Sequence, residues 1–539
     1  MSVVINHHLV IRQDPGIVFV LLPNSIIAVV IEDETTELAV LRPLVSDPQM
    51  EADELPPHST RAAPNTSVFI AATSNVAIQY NFAVIALALA FMDNGDPNDA
   101  SCSSLSNVSV SPCYDASKAA YPRTEVQSSL LRSLVFAGAI TGQLTMGIAG
   151  DMMGRRRAML LTNSFSIIGA LGSAMLTWGA PSTIYGVMMI CRFLLGVGVG
   201  GKYPLAATIS KEGSSSGSNK SYEVAKGFFW QTPGAVLPYV VGLLLLLGFG
   251  KDNFGAQHKA ATSFQFRFLL GLGALPTIAS TLLTYHSGES DEYAEVKPGS
   301  RNPFRVAAAH PELLRPLAGC GLSWLLYDFV YYGTAFNQVA ITDSVFGKAD
   351  ALFDNCWQNI VLSGMGLPGV VSAVLLLKRW SSRKLQLFGF GFLALACTAL
   401  ATAVYADASN GVKFAAFAVL LFALNWGMNV STYTLPTETF PTEVRTTMFG
   451  LSAGMGKVGA LVGSASFESI QNGVGLQGVY YVCAAFAVLG LLVTAWLCPH
   501  THEAVEPDPS PIAPADESLN SGTRRTRLLN DSTACSHSG

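Results

Sequence analysis

Long apolar runs, each about the length of a bilayer crossing, alternate along this chain with short polar breaks. A helix needs ~20 predominantly apolar residues, at 1.5 Å rise each, to span the hydrocarbon core. Runs of that length fall at residues 68–92, 126–150, 158–178, 183–210, 223–249, 264–286, 317–341, 356–378, 384–405, 412–436, 446–470 and 476–498, twelve in all. An open chain crosses lipid only as helices, because every backbone N–H and C=O must find a partner within its own segment. The pattern therefore predicts an all-α membrane protein with the lipid bilayer as its first partner. No domain-sized polar block remains to house a soluble enzyme.

Composition and charge sharpen this. Of 539 residues, 50% are hydrophobic and only 13% charged, and the net charge of −5 is spread over many loops, so it marks no nucleic-acid surface. Basic residues gather on alternate loops: Arg155, Arg156 and Arg157; Lys211, Lys220 and Lys226; Lys297, Arg301, Arg305 and Arg315; Lys378, Arg379, Arg383 and Lys384. The intervening loops carry few, namely Lys118, Arg123, Lys251, Lys259, Lys348 and Lys413. The asymmetry places both termini and the long middle loop in the cytoplasm, with the plasma membrane the expected residence.

The ends are less informative. Residues 1–67 form an N-terminal cytoplasmic appendage whose apolar stretch GIVFVLLPNSIIAVV, Gly16 to Val30, is too short for a span and lacks a cleavage site. Residues 499–539, rich in Pro, Ser, Asp and Glu, have the composition of a disordered tail. In the first outside loop Cys102 and Cys113 bracket a glycosylation sequon at Asn107. A disulfide and a glycan fit there if the loop meets the secretory lumen, and the spacing leaves the bond open. Cys191, Cys320, Cys397 and Cys483 lie within spans and read as small packing residues. Nine scattered histidines suggest no metal site, and no nucleotide-binding loop is present, so neither a cofactor nor ATP-driven pumping is implied.

The polar segment 287–316 divides the spans six and six, giving bundles at 68–286 and 317–498. The halves echo each other weakly: a basic turn follows the second span (GIAGDMMGRRRAML) and the eighth (LLLKRWSSRKLQL). Duplicated halves with a midplane site are a common plan of secondary transporters. Gly147, Asp151, Gly154, Arg155 and Arg156 fit the GxxxDxxGRR loop of the major facilitator superfamily, and Arg192 with Gly196, Gly198 and Gly200 fits its RxxxGxGxG helix. The chain thus resembles that superfamily, which implies twelve transmembrane helices in two six-helix bundles. Within it, FMDNGD, GVGVGGKYPLAATISKE, WLLYDFVYYG, NWGMNVSTYTLPTETFP and GLSAGMGKVGALVG recur in the order seen in phosphate:proton symporters. That resemblance implies import of inorganic phosphate with protons. A different solute on the same fold (a sugar, organic anion or organic cation) or a non-transporting phosphate receptor are the competing readings.

Several side chains have chemistry suited to an oxyanion. Trp324, Asp328 and Tyr332, at i, i+4 and i+8, share a helix face that must turn inward, since a carboxylate toward lipid costs several kcal/mol. Asn429 and Asn425 sit one turn apart and carry amide donors, and Lys457 is embedded among small residues without a local counter-charge. The resemblance implies that Tyr203, Gln231, Trp324, Asp328, Tyr332, Asn429 and Lys457 line a phosphate site. Carrying one negative charge inward against 100 mV costs about 2.3 kcal/mol, so uptake needs an accompanying cation. Asp328, with Asp93 and Asp96, are the candidate proton carriers. Where the family pattern has an aspartate before the tyrosine, this chain has Lys202, expected either to pair with Asp93 or Asp96 or to face the cavity as a second cation. Asp151, Arg155 and Arg156, mirrored by Glu438 and Arg445, read as gating elements at the cytoplasmic face. Glu289 and Tyr293 resemble a further acidic gate stretch whose proline and arginine are missing here, which weakens a latch role for them.

Overall fold

A computed structural model describes residues 2–5, 8–13, 17–22 and 25–31 near the N-terminus and, but for residues 216–217, 252, 255, 297–300 and 347–351, residues 66–92 and 119–499. Asp93, Asp96, Cys102, Asn107, Cys113 and the tail beyond residue 499 lie outside the described residues. Two compact units divide the chain, Met1–Ser59 and Thr60–Gly539. The first is a four-stranded antiparallel meander, β1 (Ser2–Ile5), β2 (His8–Gln13), β3 (Ile17–Leu22) and β4 (Ser25–Ile31), in the order β1-β2-β3-β4. The apolar stretch at Gly16 to Val30 thus makes a hairpin, with Leu22 opposite Ser25 across residues 23–24. Its β-branched composition favours strands where its length forbids a span.

The second unit is helical: α1 (Thr66–Met92), α2 (Glu125–Met153), α3 (Arg155–Met175), α4 (Pro181–Glu212), α5 (Lys220–Phe229), α6 (Gln231–Phe249), α7 (Lys259–Leu272), α8 (Ala274–His286), α9 (Asp291–Ala294), α10 (Pro303–Ala309), α11 (Leu314–Phe346), α12 (Leu352–Leu376), α13 (Ser382–Tyr405), α14 (Asn410–Asn425), α15 (Met428–Thr439) and α16 (Arg445–Leu497). Local chemistry sets the ends. Thr124 and Gln127 form a reciprocal capping box at α2, Pro181 opens α4 where its missing N–H costs nothing, and the Ser381 hydroxyl caps α13. α5 with α6, α7 with α8, and α14 with α15 each make one interrupted span. α16 is two helices merged across Gly475, whose φ of 73° breaks the helical path.

Among the described residues, ten segments are long and apolar enough to cross a membrane. The runs at 317–341 and 446–470 fall outside that ten, although α11 and the first half of α16 are helical there. α11 packs on α16, taken over both its halves, more extensively than any other pair of helices among the described residues. Helices sheltered by neighbours can carry polar side chains, so their hydropathy is low for a structural reason.

Glycines create that close packing. A Cβ on Gly456 would strike the Trp324 ring (2.5 Å), one on Gly459 would land on the Leu325 carbonyl oxygen, and one on Gly463 would meet the Phe329 oxygen at 2.6 Å. Removing side chains at these steps lets two backbones approach, which fixes the register of Asp328 on α11 against Lys457 on α16. The ladder in α4 does the same in the other bundle: Gly196 and Gly200 pack on the α2 backbone at Val135 and Ala139.

Candidate substrate cavity and latch

A cavity of about 150 Å³ lies among α1, α4, α5, α6, α11, α12, α14, α15 and α16. Its lining includes Tyr203, Gln231, Trp324, Asp328, Tyr332, Asn429 and Lys457, seven of the eight expected substrate contacts, with Asn425 beside them. Lys457 is not unpaired. Its Nζ lies 3.0 Å from Asp328 Oδ2 and 3.4 Å from the Tyr332 hydroxyl, and both charged residues are 3% exposed. Aromatic faces surround the ammonium, with ring centroids at 5.1 Å (Tyr332), 5.5 Å (Tyr203) and 6.0 Å (Phe82).

The neutral donors are held in chains. Gln79 donates to Gln231 Oε1 (2.7 Å) and Gln231 donates to Asn75 Oδ1 (3.0 Å), which orients the α6 amide from α1. Asn429 donates to Asn425 Oδ1 at 3.2 Å, and Asn425 to the Leu421 carbonyl at 2.9 Å. Between these asparagines Gly427 (φ 78°, ψ −94°) breaks the span, swinging Asn429 into the cavity on α15. Gln79 and Asn75, which orient Gln231, were not expected from the sequence. Their polarity inside the first apolar run was the available signal.

Lys202 is the exception among the expected contacts. It does not line the cavity; it is fully buried within the first bundle, and its Nζ donates to Thr277 Oγ1 on α8 at 2.8 Å. Tyr203, the next residue, faces the cavity, and a step of one residue along a helix turns ~100°. Of the two expected arrangements, the cavity-facing one is not what the structure shows, and the pairing with Asp93 or Asp96 lies outside the described residues. Three residues beyond Thr277 on α8, Ser280 joins Ser74 (2.9 Å) and Asn163 (3.4 Å) in the same bundle.

At the end marked by the basic loops, charged side chains join the bundles. Asp151 accepts from Thr446 N (3.2 Å) and Thr447 N (2.7 Å), capping the first turn of α16, and lies 3.2 Å from Arg155 Nη1. Arg155 reaches Glu212 through Nε (3.0 Å) and Nη2 (3.0 Å) and donates to the Thr442 carbonyl at 2.6 Å. Arg445 Nη1 meets Glu212 at 2.6 Å and Glu292 at 3.0 Å, and Lys220 also pairs with Glu292. Arg156 donates to the carbonyls of Thr284 and Tyr285 instead, and Glu438 accepts from Ser382 at the start of α13. Glu289 accepts from the N–H groups of Arg155 and Arg156, and Tyr293 donates to the Asp151 carbonyl at 3.0 Å, so this stretch joins the cluster despite its missing proline and arginine.

Glu212 and Glu292 were not singled out in the sequence. Burial pushes the Glu289 carboxyl up. For Glu292 burial acts the same way, but the Lys220 hydrogen bond and the Arg445 charge outweigh it and hold the group below the usual range.

Comparison with known proteins agrees with this architecture. The profile of the family described as "Sugar (and other) transporter" matches residues 67–301 and 325–504. An inorganic phosphate transporter of Toxoplasma gondii is 36% identical over 423 residues, 77% of this chain and 69% of its own. Inorganic phosphate transporter 1-6 of Oryza sativa is 27% identical over 432 residues, 68% of this chain and 80% of its own. Among solved structures, a major facilitator proton:xylose symporter superposes with a TM-score of 0.63 at 16% identity, covering 81% of this chain and 96% of its own. The Escherichia coli fucose:proton symporter gives 0.60 at 12% identity, covering 82% and 100%. Matched over most of its length, with two helical bundles around a polar cavity, the chain belongs to the sugar (and other) transporter family of the major facilitator superfamily and groups there with inorganic phosphate transporters.

Proposed function

We propose that this protein is a secondary transporter that imports inorganic phosphate together with protons by alternating access. The observation that carries the reading is the Lys457–Asp328 pair, enclosed in a cavity whose remaining polar groups are amides, hydroxyls and an indole from both bundles. An oxyanion accepts hydrogen bonds from Tyr203, Trp324, Gln231 and Asn429 and takes the Lys457 ammonium as its counter-charge. Asp328 would repel that anion while ionised, so protonation of Asp328 and binding of phosphate favour each other. The coupling is thermodynamic: each ligand binds better to the form the other has prepared. The names of the relatives support phosphate as the cargo.

The latch supplies the gating half of the mechanism. Glu212 on α4 and Arg445 on α16 tie the bundles together at the face proposed to be cytoplasmic, and their separation opens the cavity inward. Uptake of labelled phosphate by the purified protein in liposomes, with and without an imposed pH gradient, tests the reading. Gradient-driven accumulation that Lys457→Ala abolishes is expected. Flux of a sugar or organic ion with no phosphate flux points to another cargo, and phosphate binding without flux points to a receptor.

A further inference from the structure

We infer that Asn75 and Gln79 together make the cavity selective: Asn75, buried behind the lining, directs the carbonyl oxygen of the Gln79 amide toward the substrate, where it accepts a hydrogen bond from a P–OH group and disfavours oxyanions that carry no proton. This rests on the phosphate reading above and deepens it by naming the residues that tell phosphate from other tetrahedral anions.

The two residues sit one turn apart on the same face of α1, and the α5–α6 span is drawn close to that helix by glycines. A Cβ on Gly227 would meet the Ala71 Cβ at 2.6 Å, and one on Gly234 would meet the Val76 carbonyl oxygen at 2.8 Å. Gly227 lies in the last turn of α5, where carbonyls have no partner within the helix. Asn75 supplies the partner. Its Nδ2 donates to the Gly227 carbonyl at 3.1 Å and the Ala71 carbonyl at 2.9 Å, and lies 3.5 Å from the Tyr433 hydroxyl. Carbonyl oxygens only accept, so the Asn75 amide has one permitted orientation, with Oδ1 directed at Gln231.

That polarity passes along the chain of amides. Asn75 Oδ1 requires a donor, so Gln231 offers Nε2 at 3.0 Å and turns its Oε1 to Gln79. Gln231 Oε1 requires a donor in its turn, and Gln79 offers Nε2 at 2.7 Å. The chain ends on Gln79 Oε1, carried by a half-buried side chain in the cavity lining. An amide oxygen does not take up a proton at ordinary pH, so the proton of any hydrogen bond to it must come from the ligand. Both common ions of phosphate carry a P–OH, and sulfate carries no proton. An unprotonated ligand oxygen against Gln79 Oε1 leaves that acceptor unsatisfied, which weakens binding about 5–150-fold.

Sulfate differs from phosphate in charge as well, so the sharper probe is difluorophosphate, tetrahedral and singly charged like dihydrogen phosphate but with fluorine in place of both hydroxyls. The test measures displacement of labelled phosphate from purified full-length protein by phosphate and by difluorophosphate, at a pH where the phosphate monoanion predominates. The native chain should bind difluorophosphate at least about tenfold more weakly than phosphate. Gln79→Met keeps the length of the side chain and removes the acceptor. It should weaken phosphate, spare difluorophosphate and close most of that gap. Asn75→Leu acts from outside the cavity and should close the gap too, because the Gln231 and Gln79 amides are then free to turn over. A ratio of two ligands on one protein is insensitive to a general loss of site shape, which weakens both alike, and if one variant fails to fold the other decides. A gap that survives in a folded variant, or that is missing from the native chain, overturns this inference and leaves phosphate as the cargo. Failure of the native chain to bind phosphate at all overturns the phosphate reading and this inference with it.

Discussion

Glu212→Gln isolates the contribution of the latch. In the native structure the Glu212 carboxylate accepts from Arg155 (3.0 Å), Arg445 (2.6 Å) and Ser290 Oγ (2.5 Å), and the arginines are 1% and 5% exposed. Stripping one partner from a buried ion pair costs about 3–5 kcal/mol, because a charge is left uncompensated. Two features reduce that figure here. Arg155 keeps Asp151 and the Thr442 carbonyl, and Arg445 keeps Glu292. Only the Arg445 contact crosses between bundles, so only that part changes the balance of latched and unlatched forms. About 2 kcal/mol remains, a ~30-fold shift toward the unlatched state. Hydrogen exchange reads it directly, since the Thr446 and Thr447 amides are bonded to Asp151 across the bundle interface. Peptides covering 440–450 should exchange about 30-fold faster in the variant, with α13 unchanged. Unaltered protection there, or an equal loss throughout the chain, would refute a latch role for Glu212.

Further outcomes follow from the same contacts. Lys457→Met should lower thermal stability by leaving Asp328 buried without its cation, about 3–5 kcal/mol, and Asp328→Asn added to it should recover most of that loss without restoring phosphate uptake; no recovery would mean the pair is not coupled. Gly427→Ala would force a side chain into positive φ and set its Cβ 2.6 Å from Gly389 Cα, a strain of about 1–3 kcal/mol that misplaces Asn429, so phosphate affinity should fall while the protein still folds. Because Glu292 titrates below the ordinary carboxylate range, its stabilisation is present above about pH 4.3 and lost as pH falls through its lowered value. The melting-temperature difference between the native chain and Glu292→Gln should therefore be full near neutrality and vanish in acid, and a difference that grows in acid contradicts the sign. Gly200→Val should abolish monodisperse expression, since any Cβ there lands on the Ala139 backbone.

How much of this was legible in the sequence depended on which interactions are local. Ten spans announce themselves by hydropathy, because lipid demands it of every helix it touches. α11 and the first half of α16 are poorer in that signal, although both were read as apolar runs with the rest; their WLLYDFVYYG and AGMGKVGA stretches hold polar and small residues that make sense only once the two helices are packed together. The spacing of Trp324, Asp328 and Tyr332 showed that they share a face. Nothing local showed that Lys457, on another helix, closes on that face, so its charge read as unpaired. Lys202 failed differently. Its depth was readable, but the rotation of α4 that sends Tyr203 to the cavity and Lys202 to Thr277 is set by tertiary packing. Glu212 was hidden because a helix-end glutamate is common, and its significance comes from two arginines brought from residues 155 and 445.

The distribution of charge between the bundles bears on what sets the rate of reorientation. The first bundle gives the cavity Gln79, Tyr203 and Gln231, all uncharged, while Asp328, Tyr332 and Lys457 belong to the second. On the proposed mechanism Lys457 and Asp328 travel together inside one bundle, paired with each other when the cavity is empty, so rocking itself separates no ion pair in the cavity. The Glu212–Arg445 contact does cross, and the proposed alternating access requires it to break in every cycle. On that proposal the barrier sits at the latch and substrate recognition at the cavity. Bound phosphate can influence the latch only by drawing the neutral donors of the first bundle toward an anion held by the second. Removing Tyr203 and Gln231 together should accordingly weaken the effect of phosphate on exchange at residues 440–450 more than it weakens phosphate binding. Equal losses would mean that the second bundle alone carries the signal.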